Sequence, residues 1–546
     1  MIYGIDLGTS NCKIADVHQF GGNTYVRCLE DDSGSISFPT VVHYNEQGHV
    51  VVGAVAKSKL PEYPEETVEL VKVRMGKINY IEVKANDCTI EKSPQEISAV
   101  ILKHANKLHD DDIKDAILTV PAYFNDSQKQ ATLAAGEIAN INIVEMIEEP
   151  SAAIMYHLFD AQLKDNIKEQ LLEPKNYLVF DFGGGTLDLS LIKIELDQEG
   201  LIKPTVIIKG GNPELGGNNI DFIFTQMVIE ELVYKYNDQF ILSVQKEYDY
   251  YFENHRFTNG LEADIKEFIM HLKSILEDAK IRLSTEEVVE ISTLRLEYDN
   301  ISIHRSVFEN LLDERIRENI IHAINDIKER NRELSNEQHV DELIMVGGSS
   351  QIPYVQRLLA EQLPELEGNI VISDDYDTAI AKGAAILGAI KAGQQVSPFG
   401  LNRCHSSVSH NIYIEHNDIR KLLISYGEKY PFESPQTAQF EIRHALDTHI
   451  KVIIKEELRK NNPDNNEIEI DYRTIKEFKF FHPFFYPKEE VVLNVNINDH
   501  GLLTFYAEHK PTGERVDFTS EKLFQLSDEE FNKVKNDIDS LVVQSR

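Results

Sequence analysis

The sequence predicts an α/β protein with two related lobes, followed by an all-β domain and one short C-terminal helix. Three observations predict this order. Strand-like and helix-like segments alternate over residues 1–391, which is typical of α/β folds. A glycine hairpin whose first strand ends in an aspartate occurs twice in that part. The pattern then becomes alternating and β-like over residues 406–525, and residues 526–546 contain one amphipathic helical segment.

Size and composition narrow the class of protein. The 546 residues suffice for three or four domains of about 150 residues each. Hydrophobic residues make up 42% and charged residues 27%, which is ordinary for a globular protein in water. The net charge of −36 argues against a nucleic-acid-binding surface, because neutralising phosphates requires basic patches. An acidic chain can still bind a nucleotide through backbone amides, a few cations and a metal ion.

The sequence also predicts a cytoplasmic protein without a membrane anchor. No apolar run reaches the ~18 residues that a membrane helix needs, and Met1 leads directly into a strand-like segment rather than a secretory signal. The cysteines have neither paired nor metal-type spacing, so we expect reduced thiols at Cys12, Cys28, Cys88 and Cys404.

The duplicated hairpin is the strongest functional signal in the residues themselves. In Tyr177–Leu191 an apolar strand ends near Asp181, passes through three glycines and leaves as a second strand. Ile2–Ala15 repeats this design around Asp6. Glycines can adopt positive φ and bring backbone N–H groups against a ligand, because they lack a Cβ atom. Two such hairpins facing each other predict a cleft that holds a polyphosphate and its metal ion from both sides.

Helices and strands are predicted in alternation around the two hairpins. Ser93 and Glu96 fit a capping box at a helix start. Glycines at 347–348, between a strand and a helix, would let backbone amides face an anion. We expect mostly parallel, covered sheets. The predicted elements are helix Ser93–Leu108, strand Ile113–Val120, helix Gln128–Ala139, strand Ile141–Ile147, helices Pro150–Phe159, Ile220–Tyr236 and Gly260–Leu283, short strands within Val288–Ile303, helix Arg305–Glu329, strand Glu342–Val346, and helices Pro353–Leu363 and Asp377–Lys391.

The composition changes near Ala392. Residues 392–405 contain Gly, Pro and Gln without a clear period, so we predict an interdomain linker. Beyond it, Asn498–Gly501 is predicted to be the turn of a β-hairpin. Ser527 and Glu530 fit a capping box at the start of the last predicted helix, Leu526–Val543. The predicted strands are Ile412–Ile414, Leu422–Ile424, Ile450–Lys455, Glu467–Tyr472, Val491–Ile497 and Leu502–Ala507.

Taken together, these motifs resemble the 70-kDa heat-shock (DnaK-type) chaperone family. The motifs that carry the resemblance follow the family's order: Asp6–Asn11, Val120–Gln128, Glu149–Ala153, Asp181–Asp188, Leu215–Gly217, Glu277–Lys280 and Val346–Ser349. Beyond residue 400 the likeness is weaker and rests on Val495–Ala507 and Leu526–Glu530. Lys72–Gly76 and Gln351 are most similar to the bacterial HscC-type branch. The resemblance implies an actin-like (ribonuclease H-like, duplicated) two-lobed ATPase domain over 1–391, a β-sandwich peptide-binding domain over 406–525 and a truncated lid helix over 526–546.

For the phosphates, the resemblance implies ATP or ADP with Mg²⁺, and K⁺ in addition. It places Lys72 beside the γ-phosphate and the attacking water, has Glu149 orient water, and adds Asp181 and Thr186 to the catalytic residues. The residues alone would favour a solvated helix-face lysine at Lys72 and a plain acidic helix start at Glu149. The metal-binding residues implied are Asp6, Asp181 and Asp188, with Mg²⁺ held largely through its waters. The phosphate-binding residues implied are Gly8, Thr9, Ser10, Asn11, Gly183, Gly184, Gly185, Thr186, Gly216 and Gly217.

For the nucleoside, the resemblance implies two walls. On one side, Glu277, Lys280 and Ser284 fall at i, i+3 and i+7 and therefore on one helix face; the family uses these positions for ribose and adenine contacts. The residues implied on the other side are Gly347, Gly348, Ser349, Ile352 and Asp377. The sequence has neither a P-loop nor a G-x-G-x-x-G fingerprint, so those nucleotide-binding folds lack support.

The sequence departs from the family's pattern where the domains would be coupled. Pro121 matches the family's switch proline, but Lys129 stands where an arginine is expected, and lysine lacks the bidentate geometry of arginine. The polar Gly393–Gly400 replaces an acidic, leucine-rich linker, and Phe399 and Leu401 are the apolar residues that could take its place. Allosteric coupling between the ATPase domain and the β domain is therefore expected to be absent or to use other contacts.

The C-terminal part also departs from the family. Arg420 stands where the family has an apolar arch residue over the peptide groove. Little chain follows Leu526, so most of the helical lid is missing, which predicts weak and fast peptide exchange. An aromatic run favours core filling and a proline-bounded edge loop over a binding surface; it comprises Phe478, Phe480, Phe481, Phe484, Phe485 and Tyr486.

Three functions remain open at this point. The favoured one is an ATP-dependent chaperone that hydrolyses ATP slowly and binds unfolded or extended polypeptide segments under nucleotide control, with a J-domain co-chaperone and a nucleotide exchange factor as implied partners. The second is an ATP-binding switch or scaffold with one dedicated protein partner, which Arg420 and the changed linker favour. The third is a small-molecule kinase, because sugar kinases share the two-hairpin architecture; the β domain, Lys72 and Glu149 argue against it.

Overall fold

The computed structural model describes residues 1–544 apart from short stretches of the chain. None of the helices in this described part is long and apolar enough to cross a bilayer. The stretches left out are 22, 32–33, 46–48, 77–79, 86–87, 108–112, 166–170, 172, 255, 294, 296, 395, 397–399, 417–418, 431, 433–434, 442–448, 462–467, 482–489, 519–527 and 542.

Lobe I contains the first hairpin in the middle of a mixed sheet. Its elements are β1 (Ile2–Leu7), β2 (Asn11–Phe20), β3 (Asn23–Cys28), β4 (Phe38–Pro39), β5 (Val42–Tyr44), β6 (Val50–Val52), α1 (Ala54–Lys59), β7 (Thr67–Val68), β8 (Ile81–Ala85), β9 (Cys88–Lys92), α2 (Pro94–Lys107), β10 (Asp115–Val120), α3 (Asp126–Ile138), β11 (Asn142–Glu148) and α4 (Glu149–Asp165). The main sheet has the order β11-β10-β1-β2-β3. The pair β1–β2 is antiparallel, whereas β1 pairs with β10, and β10 with β11, in parallel.

Lobe II repeats this plan around the second hairpin. Its elements are β12 (Lys175–Phe182), β13 (Leu187–Leu196), β14 (Ile202–Asn212), α5 (Gly217–Tyr236), α6 (Gln239–Asn254), α7 (Ala263–Arg282), β15 (Val288–Ile291), β16 (Ile301–His304), α8 (Arg305–Arg315), α9 (Arg317–Glu333), β17 (Glu342–Val346), α10 (Pro353–Gln362) and β18 (Ile370–Ile372). The main sheet has the order β14-β13-β12-β17-β18, with β12–β13 and β13–β14 antiparallel and the other pairs parallel. The expectation of mostly parallel sheets is wrong, because each lobe begins with a three-stranded antiparallel meander.

Helix α11 (Ala379–Lys391) joins the two lobes. The chain leaves β18 of lobe II, crosses over residues 373–378, and enters α11, which packs against β1, β2 and α4 of lobe I. The predicted helix start at Asp377 is therefore two residues early. Helix α6 was not predicted, and the predicted helix Arg305–Glu329 is in fact two helices, α8 and α9, that break at Ile316.

The C-terminal β region has two sheets around one core. Its strands are β19 (Ser406–Ser407), β20 (Ile412–His416), β21 (Ile419–Ile424), β22 (Lys429–Tyr430), β23 (Gln436–Glu441), β24 (His449–Asn461), β25 (Ile468–Phe481), β26 (Glu490–Ile497), β27 (Leu503–His509) and β28 (Glu514–Phe518). One sheet has the order β21-β20-β24-β25 and the other β23-β26-β27-β28, and apolar side chains of both share one buried cluster. The predicted hairpin around Asn498–Gly501 is confirmed. The aromatic side chains from Phe478 to Tyr486 lie outside the described residues.

The predicted linker is partly paired with lobe II. The Ile202 amide donates to the Gly400 carbonyl (3.1 Å), and the His405 amide donates to the Pro204 carbonyl (3.0 Å). Leu401 and His405 form parallel bridges to β14. Leu401 is only 6% exposed and joins the core between the lobes. Residues 400–405 thus extend the edge of the lobe II sheet, whereas Phe399 lies outside the described residues.

The end of the chain packs on lobe I. Helix α12 (Asp528–Ser540) and strand β29 (Val543–Gln544) lie beside α2, α3 and β6, and β29 pairs with β6 in parallel. Phe531 and Ile538 join the lobe I core, and the Lys103 ammonium donates to the carbonyls of Ile538, Asp539 and Leu541. The segment expected to be a lid helix therefore contacts lobe I. Its predicted capping box, Ser527 and Glu530, lies outside the described residues.

Candidate functional site

The turns of the two duplicated hairpins meet between the lobes. A Cβ atom on Gly185 would overlap the hydroxyl oxygen of Thr9, and a Cβ atom on Gly184 would overlap that of Ser10. A side chain at either position would have to displace the facing hydroxyl, so glycine lets the two turns approach each other this closely. The prediction that the hairpins face each other is therefore confirmed.

Carboxylates from both lobes line the cleft beside these turns. Asp181 and Asp188 stand opposite each other in the β12–β13 pair and are almost fully buried. The Thr186 hydroxyl (2.7 Å) and the Ala122 amide (2.9 Å) both donate to Asp188. Because Ala122 belongs to lobe I, the second hydrogen bond ties the two lobes together at the base of the cleft.

Asp6 and Asp181 differ in how they are held. Asp6 Oδ1 accepts a hydrogen bond from the Thr119 hydroxyl at 3.0 Å. Asp181 Oδ2 is buried without a hydrogen-bond partner in the described part of the chain. An orphaned carboxylate oxygen of this kind is costly unless a cation or donor faces it.

Lys72 and Glu149 form a buried ion pair in the same cleft. Lys72 begins a short 3₁₀ turn, Lys72–Arg74, and Glu149 is the first residue of α4. Burial by itself lowers the pKa of the Lys72 ammonium, but Glu149 and Asp6 outweigh it, so the pKa is raised and the lysine stays charged. The alternative of a solvated helix-face lysine is therefore wrong, because the side chain is buried against a carboxylate.

The acids of the cleft repel one another. Burial raises the pKa of Glu149 to about 7, with the pair to Lys72 opposing the shift and Asp6 and Asp188 adding to it. Burial likewise raises the pKa of Asp188 to about 6, although Thr186 opposes it. Burial, Glu149 and Asp188 hold the pKa of Asp181 well above its ordinary range. The Lys72 ammonium thus lies among buried carboxyl groups, three of which, Glu149, Asp181 and Asp188, have raised pKa values.

This donor set fits a hard divalent cation. Carboxylate oxygens are the ligands that Mg²⁺ prefers, and the orphaned oxygen of Asp181 and the surplus of negative charge both call for a cation. No three His, Cys, Asp or Glu side chains in the described residues converge as a direct metal-binding group. Mg²⁺ held largely through its waters therefore stays a prediction.

Glycine turns from lobe II close one side of the cleft. The Gly217 amide donates to the Gly183 carbonyl (3.0 Å), and the Asn218 amide donates to the Gly184 carbonyl (2.8 Å). The Ser349 hydroxyl also donates to the Gly183 carbonyl, at 2.9 Å. Gly347, with φ of 83°, makes the turn that brings Ser349 to this place. The predicted residues near 183, 216 and 347 are therefore brought together.

Helix α7 lies next to these glycine turns. The Lys280 ammonium pairs with Asp221 (2.7 Å) and donates to the Gly217 carbonyl (3.2 Å), so it lies beside the glycine turns. Glu277 pairs with Lys57 of lobe I at 2.7 Å, across the mouth of the cleft. The expectation that Ser284 shares their helix face is wrong, because α7 ends at Arg282 and Ser284 follows in a turn.

The remaining predicted residues lie at the ends of the same turns. A Cβ atom on Gly8 would overlap the carbonyl oxygen of Asn11 within the first hairpin. Gly216 precedes α5, and Ile352 is buried immediately before α10. Asp377 lies in the crossover, bonded to Lys13 at 2.8 Å.

Some site residues were not found from the sequence. Lys13, Lys57, Thr119 and Asp221 each pair with a predicted site residue. Lys13 carried a signal, because it stands in the apolar strand that leaves the first hairpin and a charge there needs a partner. The others belong to segments whose spacing gave no indication of the cleft.

Comparisons with known proteins identify relatives of this chain. The family model described as Hsp70 protein matches residues 2–545. The chain is 34% identical over 415 residues to the chaperone protein DnaK of Thermotoga petrophila and 33% identical over 411 residues to that of Thermosipho melanesiensis, covering 72% of this chain in each case. It is 28% identical over 570 residues to the chaperone protein dnaK of Cyanidium caldarium, covering 98% of this chain and 82% of that protein.

The chain spans only part of the length of several relatives, but the family match covers nearly all of the chain. The chain covers 60% of the length of the Thermotoga and Thermosipho relatives. The family match nevertheless extends over both lobes and the β region, and it includes the duplicated hairpins and the Lys72–Glu149 pair. The chain therefore belongs to the Hsp70 family.

Proposed function

We propose that this chain is an ATP-dependent molecular chaperone that hydrolyses ATP slowly and binds unfolded or extended polypeptide segments under nucleotide control. The observation that carries the proposal is the buried Lys72–Glu149 pair. It lies between two facing hairpins whose first strands end near Asp6 and Asp181. Relatives from Thermotoga, Thermosipho and Cyanidium bear the name of the chaperone DnaK, which supports it.

The proposal assigns a role to each part of the chain. Residues 1–391 would be an actin-like ATPase domain, 392–405 the linker, 406–525 a β-sandwich that binds peptide, and 526–546 the segment that contains α12. We further propose a cytoplasmic protein that works with a J-domain co-chaperone and a nucleotide exchange factor. Placement in the HscC-type branch stays a prediction from Lys72–Gly76 and Gln351.

The residues of the cleft can carry out phosphoryl transfer to water. The Lys72 ammonium, fixed by Glu149, would lie against the developing negative charge of the γ-phosphate. A carboxyl group with a pKa of about 7 can orient water and accept its proton, and Glu149 meets that requirement. The hydroxyls of Thr9 and Ser10 and the turn at Gly183–Gly185 would hold the phosphates.

The proposed cofactors follow from the same donors. Asp6 and Asp181 would hold Mg²⁺, and Asp188 with Thr186 would hold K⁺. When bound, Mg²⁺ supplies positive charge to the phosphate oxygens. The chain's own contribution is to keep these carboxylates buried and close together. Their negative charges repel one another there, and a bound cation would relieve that repulsion.

Hydrolysis tests the assignment most directly. We expect Lys72→Ala to lower the rate of ATP hydrolysis at saturating ATP by about 10²–10³-fold, because it removes a fixed charge at the transition state. Lys92→Ala is the matched control, since Lys92 is also ion-paired, with Glu96, but is the last residue of β9. Hydrolysis by Lys72→Ala at the wild-type rate would rule out the assignment.

The scaffold function remains a second candidate because of Arg420. Its guanidinium stacks on the Tyr472 ring at 3.7 Å and pairs with Glu415 at 3.1 Å, so the proposed arch position carries a fixed charge. The affinity of the full chain for a fluorescent unfolded peptide, measured with ADP and with ATP, separates the two candidates. A chaperone should bind more weakly with ATP, whereas equal affinities would favour the scaffold.

A further inference from the structure

Lys13 is a buried lysine in the cleft that the proposed reaction does not use. It lies in β2 directly opposite Asp6 of β1, so the two side chains point to the same face of the sheet. Its side chain is 6% exposed, and its ammonium group lies 2.8 Å from Asp377 Oδ1. Lys13 therefore connects the strand pair of the first hairpin to a residue nearly at the other end of the two lobes.

Asp377 lies where the chain crosses from lobe II to lobe I. The crossover, residues 373–378, is fastened at several points. The Ser373 amide donates to Met345 of β17, and the Tyr376 carbonyl accepts from the Gly347 amide at 3.0 Å. Asp375 accepts from the Tyr156 hydroxyl of α4 at 2.6 Å. The turn at Gly347 and the crossover thus form one wall, and Lys13 holds that wall to β2.

We propose that Lys13 is a positioning residue of the nucleotide site: its ammonium group fixes Asp377 and so sets the distance between the nucleoside wall and the strand that carries Asp6. This inference rests on the proposed binding of ATP and ADP. It differs from the role of Lys72, because Lys13 is tied to the nucleoside wall and not to Glu149.

Charge and burial support this role. Burial by itself lowers the pKa of Lys13, but Asp6 and Asp377 outweigh it, so the pKa is raised and the group stays charged. A buried ammonium carries a desolvation cost that a half-exposed carboxylate offsets only in part. Asp377 is 46% exposed. A contribution to stability therefore does not explain why a lysine is buried here. A role in fixing the wall at the mouth of the cleft does explain it, because the partner of Lys13, Asp377, lies at the surface.

The test separates nucleotide affinity from hydrolysis in the full-length chain. We expect Lys13→Met to raise the dissociation constants of ADP and ATP, measured calorimetrically with Mg²⁺, by at least about tenfold. The hydrolysis rate at saturating ATP should stay within about threefold of wild type, because Lys72 and Glu149 are untouched. Asp377→Asn, at a half-exposed position, should raise the dissociation constants in the same direction, and the double variant should be no weaker than the weaker single variant.

A matched control comes from the second hairpin. Lys193 lies in β13, the counterpart of β2, and pairs with Glu195 outside the cleft, at 2.5 Å. Lys193→Met should leave nucleotide affinity unchanged. Wild-type affinity in both Lys13→Met and Asp377→Asn, or a loss of hydrolysis rate at unchanged affinity, would overturn the inference. If the wild-type chain bound no ADP, the proposed function itself would fail, which is a different result.

Discussion

The Asp181 carboxylate has the least internal support of the acids in the cleft. One of its oxygens is buried without a hydrogen-bond partner in the described part of the chain, and burial together with Glu149 and Asp188 raises its pKa. The folded chain therefore binds more protons than the unfolded chain above the ordinary pKa of 3.8 for an aspartate. The same holds for Glu149 between pH 4.5 and about 7. The free energy of unfolding should fall as the pH rises through these windows.

The expected fall of the free energy of unfolding with rising pH gives the first prediction. In metal-free buffer, Asp181→Asn should raise the free energy of unfolding at about pH 8 by on the order of 2 kcal/mol, because it removes a buried charge. The wild-type gain in melting temperature on adding Mg²⁺ and ADP should be larger at about pH 8 than at about pH 5, where the carboxyls are protonated. Thermal melts at both values measure this. Asp278→Asn, at an exposed position of α7, is the control, and a variant less stable than wild type at about pH 8 would contradict the prediction.

At this scale, the sequence predicts residues that repeat but not residues that pair across the fold. Asp6 and Asp181 could be found because each ends the same strand-glycine design. The Lys13–Asp377 and Lys57–Glu277 pairs could not, because their members lie in different segments and meet only when the lobes close on each other. Ser284 was misplaced because helix periodicity was extended two residues past the last turn of α7.

At the scale of elements, the crossing of α4 and α11 holds lobe I together behind the cleft. A Cβ atom on Gly383 of α11 would overlap the carbonyl oxygen of Ala152 in α4. Helix α4 also begins with Glu149, so the closeness of this crossing sets where the Glu149 carboxylate lies. A single glycine therefore connects helix packing to the position of the proposed catalytic residue.

Gly383→Ala should consequently destabilise the chain. The extra methyl group has to push the two helices apart, which should lower the free energy of unfolding by about 3 kcal/mol. Urea denaturation of the nucleotide-free chain measures the change. Gly348→Ala is the matched control, because a Cβ atom there meets open space. Equal stability of wild type and Gly383→Ala would show that the crossing is looser than the structure indicates.

Element boundaries follow from local sequence only where local signals exist. The capping box of Ser93 and Glu96 marks the start of α2, and both hydrogen bonds are present. No Gly or Pro marks the break between α8 and α9 at Ile316, so the sequence predicts one continuous helix there. The pairing of residues 400–405 with β14 uses backbone groups, which any composition can supply.

At the scale of the whole molecule, one buried lysine connects the lobes, the linker and the β region. Lys209 of β14 has a fully buried ammonium that lies 2.6 Å from Glu148 of lobe I and 2.9 Å from the Ser406 hydroxyl. The Ser406 (2.8 Å) and Tyr430 (3.3 Å) hydroxyls also donate to Glu148. Glu148 directly precedes Glu149. The linker and β region therefore contact the residue next to the proposed catalytic carboxylate.

Lys209→Met should therefore loosen the docked arrangement while leaving the lobes folded. Without the ammonium, Glu148 keeps only hydroxyl donors and the more distant Lys129 at 3.9 Å, so the attachment of Ser406 to β14 weakens. We expect the His405 amide, which donates to Pro204, to exchange with solvent deuterium at least about tenfold faster. Any stimulation of ATP hydrolysis by an unfolded peptide should fall in parallel. Lys203→Met, on the same strand, is the control. Wild-type exchange at His405 in Lys209→Met would mean that the backbone pairing alone holds the linker, and that the lysine takes no part in coupling the β region to the cleft.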